Sequence, residues 1–287
     1  MKKLKIDFLV IGVQKSGTSW LYNCLNEHPE IGLPLKKREV EYIGGPLYKA
    51  NGGIDWFHQL FNHIEDSDAM KIGDISVEYV FDDGSADEVK KYFPECQVVL
   101  ILRNPIDRFL SALEWNKRRG QLKDFNDEQV LEMLQSEGSK IIEDIKNRGL
   151  YARQMKNYYD NFPENNIQVI DFSKIIERPY EVIQSIFSFL KVDPNFLPEA
   201  IGSKPKKNSN NPLLIKLESR LSRNRFSEKI LDQLHQLLPT RKRKTSNDLI
   251  QYLNKVYAPH NELLKKFFLD KKQDKLAEMV ESWKNEY

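Results

Sequence analysis

The sequence predicts an α/β protein, a parallel β-sheet flanked by helices on both faces, with a helical C-terminal part. Three strand–helix units predict it. Each opens on an apolar run without polar alternation, the pattern of a strand buried on both faces, and each passes into a helical spacing. Repeated strand–helix alternation favours parallel strands joined by right-handed crossovers.

The first unit is Ile6-Asp7-Phe8-Leu9-Val10-Ile11-Gly12, β-branched and apolar, stopped by glycine. Ser19 to His28 then reads as a helix with Trp20, Leu21, Cys24 and Leu25 on one stripe, ended by His28-Pro29. The second unit is Gln97 to Arg103. Asn104 can cap the following helix, Pro105 suits its first position, and Asp107 places an acid in its first turn. The third is Asn166 to Phe172, followed by Pro179 and a helix through Val182, Ile183, Ile186, Phe187 and Leu190. Residues 123–160 and 213–285 read as mostly helical, and Ser203 to Pro212 as a polar loop.

The 287 residues are 40% hydrophobic and 30% charged, an ordinary globular balance. No Pro/Gly/Ser-rich linker divides them, so one domain is expected over 1–287, with a core at about 6–210 and a helical extension at about 211–287. Net charge, 44 − 42 = +2, says little about partners, and nothing suggests nucleic acid. Residues 204–244 carry twelve Lys/Arg against three acids, which suits either an anionic ligand or a solvated helical surface. Cys24 and Cys96 read as small buried hydrophobes of a reducing compartment. The five histidines fall in no ligand spacing, so no metal is expected. Asp7 interrupts the only N-terminal apolar run, and no segment reaches the ~20 apolar residues of a membrane span. The expected location is therefore cytoplasmic, without stable membrane insertion. Oligomeric state is not readable.

The chemistry concentrates in Gly12-Val13-Gln14-Lys15-Ser16-Gly17-Thr18-Ser19. Two glycines let the backbone wrap a phosphate, the next helix offers free N–H groups and its positive end, and Thr18 and Ser19 add hydroxyl donors. The nucleotide-triphosphate pattern G-x-x-x-x-G-K-[ST] needs lysine after the second glycine, to reach the β- and γ-phosphates. Thr18 stands there, and the lysine has moved back to Lys15. A donor with one 5′-phosphate and a sulfuryl group has no need of that lysine, but needs a cation near the bridging oxygen.

This loop, directly after a strand, resembles the G-x-x-[KR]-x-G-T motif of the sulfotransferases that use 3′-phosphoadenosine 5′-phosphosulfate, in particular the heparan-sulfate type. The resemblance implies a P-loop-type nucleotide-binding core in which Gln14, Lys15, Ser16, Gly17, Thr18 and Ser19 hold the 5′ end of the donor. It implies transfer of the sulfuryl group to a hydroxyl or amine, with 3′,5′-adenosine bisphosphate as product and no metal. A 3′-phosphate requires a second anion site, and Arg103-Asn104-Pro105-Ile106-Asp107-Arg108-Phe109-Leu110-Ser111 supplies one at a strand's carboxyl end. The matching family residues map to Arg103 and Ser111; Arg108 has a weaker claim. Arginine grips phosphate through two parallel hydrogen bonds, as lysine cannot.

On the acceptor side, Glu39-Val40-Glu41-Tyr42-Ile43 resembles E-V-x-[FY]-F, whose leading glutamate is the general base; Glu39 takes that role and Glu41 competes for it. Gly53-Ile54-Asp55-Trp56-Phe57 resembles G-x-x-W-[YF], with Trp56 either stacked on a sugar ring or packed in the core. Asp74-Ile75-Ser76-Val77-Glu78-Tyr79 falls where the family has E-K-[ST]-P-x-Y. Ser76 and Tyr79 agree in type and are candidate acceptor contacts, while Ile75 stands in place of lysine and Val77 in place of proline. Gly149-Leu150-Tyr151 with Gln154, Tyr158 and Tyr159 matches a stretch that supports the donor pocket, and Lys207 a basic loop that closes over the adenosine. The expected acceptor is a sugar or glycan. Two alternatives stand beside this reading: a P-loop small-molecule kinase using Mg-ATP, and a catalytically inactive nucleotide-binding protein of the same fold.

Overall fold

The structure is a computed structural model and describes residues 5–34, 42–64, 69–203 and 245–285. Its core is a parallel sheet of five strands among these residues: β1 (Phe8–Gly12), β2 (Ile31–Gly32), β3 (Lys71–Ile75), β4 (Gln97–Leu102) and β5 (Ile167–Asp171), in the order β2-β3-β1-β4-β5. β1, β4 and β5 lie where the apolar runs put them. β2 and β3 escape a pattern search, because β2 has two residues and Gly73-Asp74 breaks the apolar character of β3.

Register explains how both faces are buried. Phe8, Leu9 and Val10 pair with Gly73, Asp74 and Ile75 on one side and with Gln97, Val98 and Val99 on the other. Val98 to Leu102 pair in turn with Ile167 to Asp171. Alternation sends Phe8, Val10, Ile75, Val99 and Ile101 to one face and Leu9, Ile11, Val98, Leu100 and Leu102 to the other.

The first face is covered by α1 (Thr18–Asn26) and by a helix near the end of the core, α10 below. Helices α2 (Pro46–Ala50), α3 (Ile54–Gln59) and α4 (Ser85–Tyr92) follow, then α5 (Pro105–Arg118). The helical reading of 123–160 resolves into α6 (Asp127–Gln135), α7 (Lys140–Asn147) and α8 (Tyr151–Asn161). After β5 come α9 (Phe172–Glu177) and α10 (Pro179–Leu190), whose Val182, Ile183, Ile186 and Phe187 pack with Trp20, Leu21 and Cys24 of α1. Burying each such large side chain contributes about 1.5–3 kcal/mol, so the amphipathic stripe decides which side of α1 faces the sheet.

The C-terminal helices α11 (Asn247–Asp270) and α12 (Asp274–Ser282) lie against this core. Leu249, Leu253 and Tyr257 of α11 join a cluster with Ile106, Phe109 and Leu113 of α5. Leu264 and Phe268 join the second sheet face, together with Met155 and Tyr158 of α8. Cys24 and Cys96 are free and buried in the clusters of opposite sheet faces. Among the described residues no helix is long and apolar enough to cross a membrane, and no group of His, Cys, Asp and Glu is arranged to hold a metal ion.

Strand order places the site. β1 leads toward β2 and β3 on one side, whereas β4 leads to β5 on the other, so the connections part above the adjacent ends of β1 and β4. A crevice opens at the carboxyl edge where neighbouring strands diverge this way.

Candidate active site

The loop from Gly12 to Ser19 occupies that crevice. Gly17 is the residue before α1, in the left-handed region at φ 88°, and as a glycine it offers the helix no side-chain cap. A Cβ at Gly17 would stand 3.3 Å from the Phe172 ring. Both conditions favour glycine. Lys15 also takes a left-handed backbone, φ 70°, a strain that tends to persist where surrounding structure holds it for function. Ser16 is fully buried and its Oγ has no hydrogen-bond partner among the described residues. Thr18 is nearly buried, Ser19 is exposed, and Gln14 borders a small cavity with Val77, Phe81 and Arg148.

Arg103 leaves the end of β4 and reaches this loop. Its Nη1 donates to the Lys15 carbonyl at 2.9 Å, Nη2 lies 3.9 Å from Asp107 Oδ2, and the guanidinium carbon is 4.6 Å from the Phe172 ring centre. Its own carbonyl accepts from the Tyr151 hydroxyl at 2.9 Å. The structure thus brings together two motifs 88 residues apart, with Phe172 touching both. Asn104 caps α5, its side chain accepting from the Ile106 N–H at 3.0 Å, which fixes where the helix leaves Arg103. Ser111 follows on α5, half-buried. Arg108 is fully buried and donates to the Ile145 carbonyl beside Tyr151 and Tyr257.

The acceptor-side candidates separate. Glu39, Glu41, Lys207 and the basic 204–244 stretch lie outside the described residues. Tyr79 is fully buried, donates to Asp74 Oδ2 at 2.7 Å and accepts from the Ile43 N–H at 3.3 Å. Burial first, then the Asp74 carboxylate, pushes its hydroxyl well above the ordinary tyrosine range. Here it ties β3 to the segment after Glu41 instead of facing a cleft. Ser76 is buried with its Oγ accepting from the Glu78 N–H at 3.2 Å, and Trp56, partly buried, packs against the core. Ile75, in the lysine position, is a core residue of the first sheet face.

Other contacts were not legible as motifs. Trp115, four residues beyond Ser111, lies under the Lys15 amine at 5.5 Å from the ring centre. Helical spacing from Ser111 is the signal that finds it. Glu78 pairs through both oxygens with Arg148, at 3.1 and 2.9 Å, and Arg148 Nε donates to Asp144 at 2.8 Å. Tyr151, Gln154 and Tyr158 hold neighbouring backbone: Tyr151 that of Arg103, Gln154 that of Asn147 at 3.1 Å, and Tyr158 that of Tyr79 at 3.1 Å.

Comparison with known proteins agrees with this geometry. Residues 5–211 match the model of the sulfotransferase domain. The chain is 27% identical over 208 residues to a bifunctional heparan sulfate N-deacetylase/N-sulfotransferase of Drosophila melanogaster, covering 65% of this chain and 20% of that protein. It is 27% identical over 217 residues to bifunctional heparan sulfate N-deacetylase/N-sulfotransferase 4 of Mus musculus, covering 70% of the chain and 24% of that protein. The match therefore spans between a fifth and a quarter of those relatives' length. In fold, the chain resembles a sulfotransferase from Alicyclobacillus acidocaldarius (TM-score 0.66, 22% identity, 92% of this chain and 96% of that one). It also resembles the mouse sulfotransferase SULT7A1 complexed with PAP (TM-score 0.54, 16% identity, 98% and 89%). On the family match, which covers most of its length and contains the whole loop-and-arginine crevice, the chain belongs to the sulfotransferase family.

Proposed function

We propose that the chain transfers a sulfuryl group from 3′-phosphoadenosine 5′-phosphosulfate to a hydroxyl or amine of a carbohydrate. One observation carries the donor half: the buried Ser16 Oγ, without a partner among the described residues, beside Lys15 and next to the glycine on which α1 starts. An unsatisfied buried hydroxyl costs about 1–3 kcal/mol, which a phosphate oxygen seated in the loop offsets. The fold neighbour complexed with PAP supports the same donor class, and the names of the heparan sulfate relatives support a glycan acceptor.

The donor, when bound, supplies an activated sulfuryl group on a 3′,5′-bisphosphate leaving group. The N–H groups of Gly17, Thr18 and Ser19, with Gln14 and the Ser16 hydroxyl, hold the 5′-phosphate. Lys15 meets the charge that grows on the bridging oxygen. Arg103, braced by the Lys15 carbonyl, Asp107 and Phe172, serves the 3′-phosphate together with Ser111. The family resemblance alone assigns Lys207, outside the described residues, to the adenosine. Glu39 accepts the acceptor's proton, with Glu41 as its competitor. Acceptor contacts fall to this glutamate segment, because the Tyr79 and Ser76 side chains are engaged in the core. The core and the C-terminal helices packed on it act as one unit.

A thermal-shift comparison of 3′,5′-adenosine bisphosphate with Mg-ATP tests the donor. At 100 times its dissociation constant, a ligand of the folded state alone stabilises by about 2.7 kcal/mol. For a chain of this size that is a rise in melting temperature of roughly 5 °C. A shift with Mg-ATP and none with the bisphosphate sinks the proposal in favour of a kinase.

A further inference from the structure

Beyond Ser111 the half-buried face of α5 continues to an exposed Arg119. Asp107, Ser111, Trp115 and Arg119 recur every fourth residue, so they follow one line along the helix, while Ile106, Phe109, Ala112 and Leu113 are buried behind them. The Lys15 Nζ stands 5.5 Å from the Trp115 ring centre, and the Arg119 guanidinium carbon 4.6 Å from the same ring. A cation within about 6 Å of an indole centroid is attracted by the ring's quadrupole.

We infer that Trp115 is a positioning residue for Lys15, its indole seating the ammonium at the mouth of the phosphate loop. The inference rests on the reading of Lys15 as the cation that meets the leaving phosphate. A lysine stem is long and flexible, and its compact ammonium is strongly hydrated, so an unseated Lys15 spreads over many rotamers. The left-handed backbone at Lys15 aims the stem, and the ring narrows where its end dwells. Arg119, one turn further along, packs on the same indole and limits its rotamers. What Lys15 needs from position 115 is a π face; an aliphatic side chain of similar bulk fills the space without the attraction.

The test compares W115F and W115L, using sulfuryl-transfer rates, the melting shift given by 3′,5′-adenosine bisphosphate, and NMR of the chain with lysines reductively methylated by 13C-formaldehyde. Methylation retains the lysine charge. The Lys15 resonance is assigned by its absence in K15R. The expected result is an upfield, ring-shifted Lys15 resonance in the wild type and in W115F that moves to the exposed-lysine position in W115L. In parallel, kcat falls about tenfold in W115L and recovers to within about threefold in W115F, with the bisphosphate-induced shift kept in W115F. Equal loss of kcat in the two variants points to packing and overturns the inference. So does loss of the bisphosphate shift in W115L while the Lys15 resonance stays ring-shifted, which makes Trp115 a nucleotide contact. A Lys15 resonance with no ring shift in the wild type overturns it whatever the rates. If the wild type transfers no sulfuryl group yet shows the shifted resonance, the seat stands and the function proposed for Lys15 falls.

Discussion

Replacing Gly17 by alanine strikes the loop at its most constrained point. Two costs are readable. An alanine held at φ 88° loses about 1–2 kcal/mol relative to glycine, because its Cβ crowds the following carbonyl. That Cβ also lands 3.3 Å from Phe172 Cε2, closer than an ordinary van der Waals contact, so the ring must give. Phe172 stands over the Arg103 guanidinium, and displacing it disturbs the second anion site as well. Together the costs come to about 2 kcal/mol, which at roughly 2 °C per kcal/mol lowers the melting temperature by about 4 °C. The same 2 kcal/mol taken from donor binding weakens it about thirtyfold. The assay is thermal unfolding of G17A with and without 3′,5′-adenosine bisphosphate, together with a titration of its affinity. G17N separates the terms: asparagine tolerates the left-handed region better than alanine, yet still carries the crowding Cβ. A G17A variant that melts with the wild type and binds the bisphosphate equally well refutes the loop geometry described here.

Removing the Asn104 cap in N104A is expected to cost about 1 kcal/mol and about 2 °C, with N104D keeping most of it; unchanged melting in N104A contradicts the cap. R148M strands the Glu78 carboxylate, which is 24% exposed, and is expected to destabilise by about 2 kcal/mol, below the range for a fully buried pair. Adding E78Q to R148M restores part of that loss, and a double variant less stable than R148M in urea titration speaks against the pair. Burial, with the Glu27 carboxylate second, pushes the Cys24 thiol up to about 12 from 9.0. Its contribution to stability is complete below about pH 9 and lost as pH climbs from there toward 12, since the unfolded chain releases the proton first. Native protein should therefore leave Ellman's reagent unreacted at pH 8, and rapid labelling without denaturant contradicts this burial.

The donor side of the crevice was legible in the sequence because its chemistry is local. Gly12 to Ser19 is one continuous loop after one apolar strand, and Arg103 marks the end of another. Parallel pairing then brings the two strand ends side by side, which a strand–helix alternation already implies. What the sequence hid is built from tertiary contacts. Phe172 reads as the end of an apolar run, yet it bridges Gly17 and Arg103. Tyr79 matches an acceptor-side pattern by residue type, but the fold spends its hydroxyl on Asp74 and the Ile43 N–H. β3 was hidden because Gly73 and Asp74 dilute its apolar character, although β1 and β2 pair with it along both edges. The loop lysine, Lys15, is a side chain held between a strained backbone and an indole that no motif contained.

The most direct test of sulfuryl transfer is incorporation of 35S from labelled 3′-phosphoadenosine 5′-phosphosulfate into N-deacetylated heparan polysaccharide. Parallel reactions use γ-32P-ATP, and the K15A variant serves as control. The expected result is 35S in the polysaccharide with the wild type, at least about a hundredfold less with K15A, and no 32P transfer. Transfer of 32P without 35S, or equal 35S incorporation by K15A and the wild type, contradicts the account.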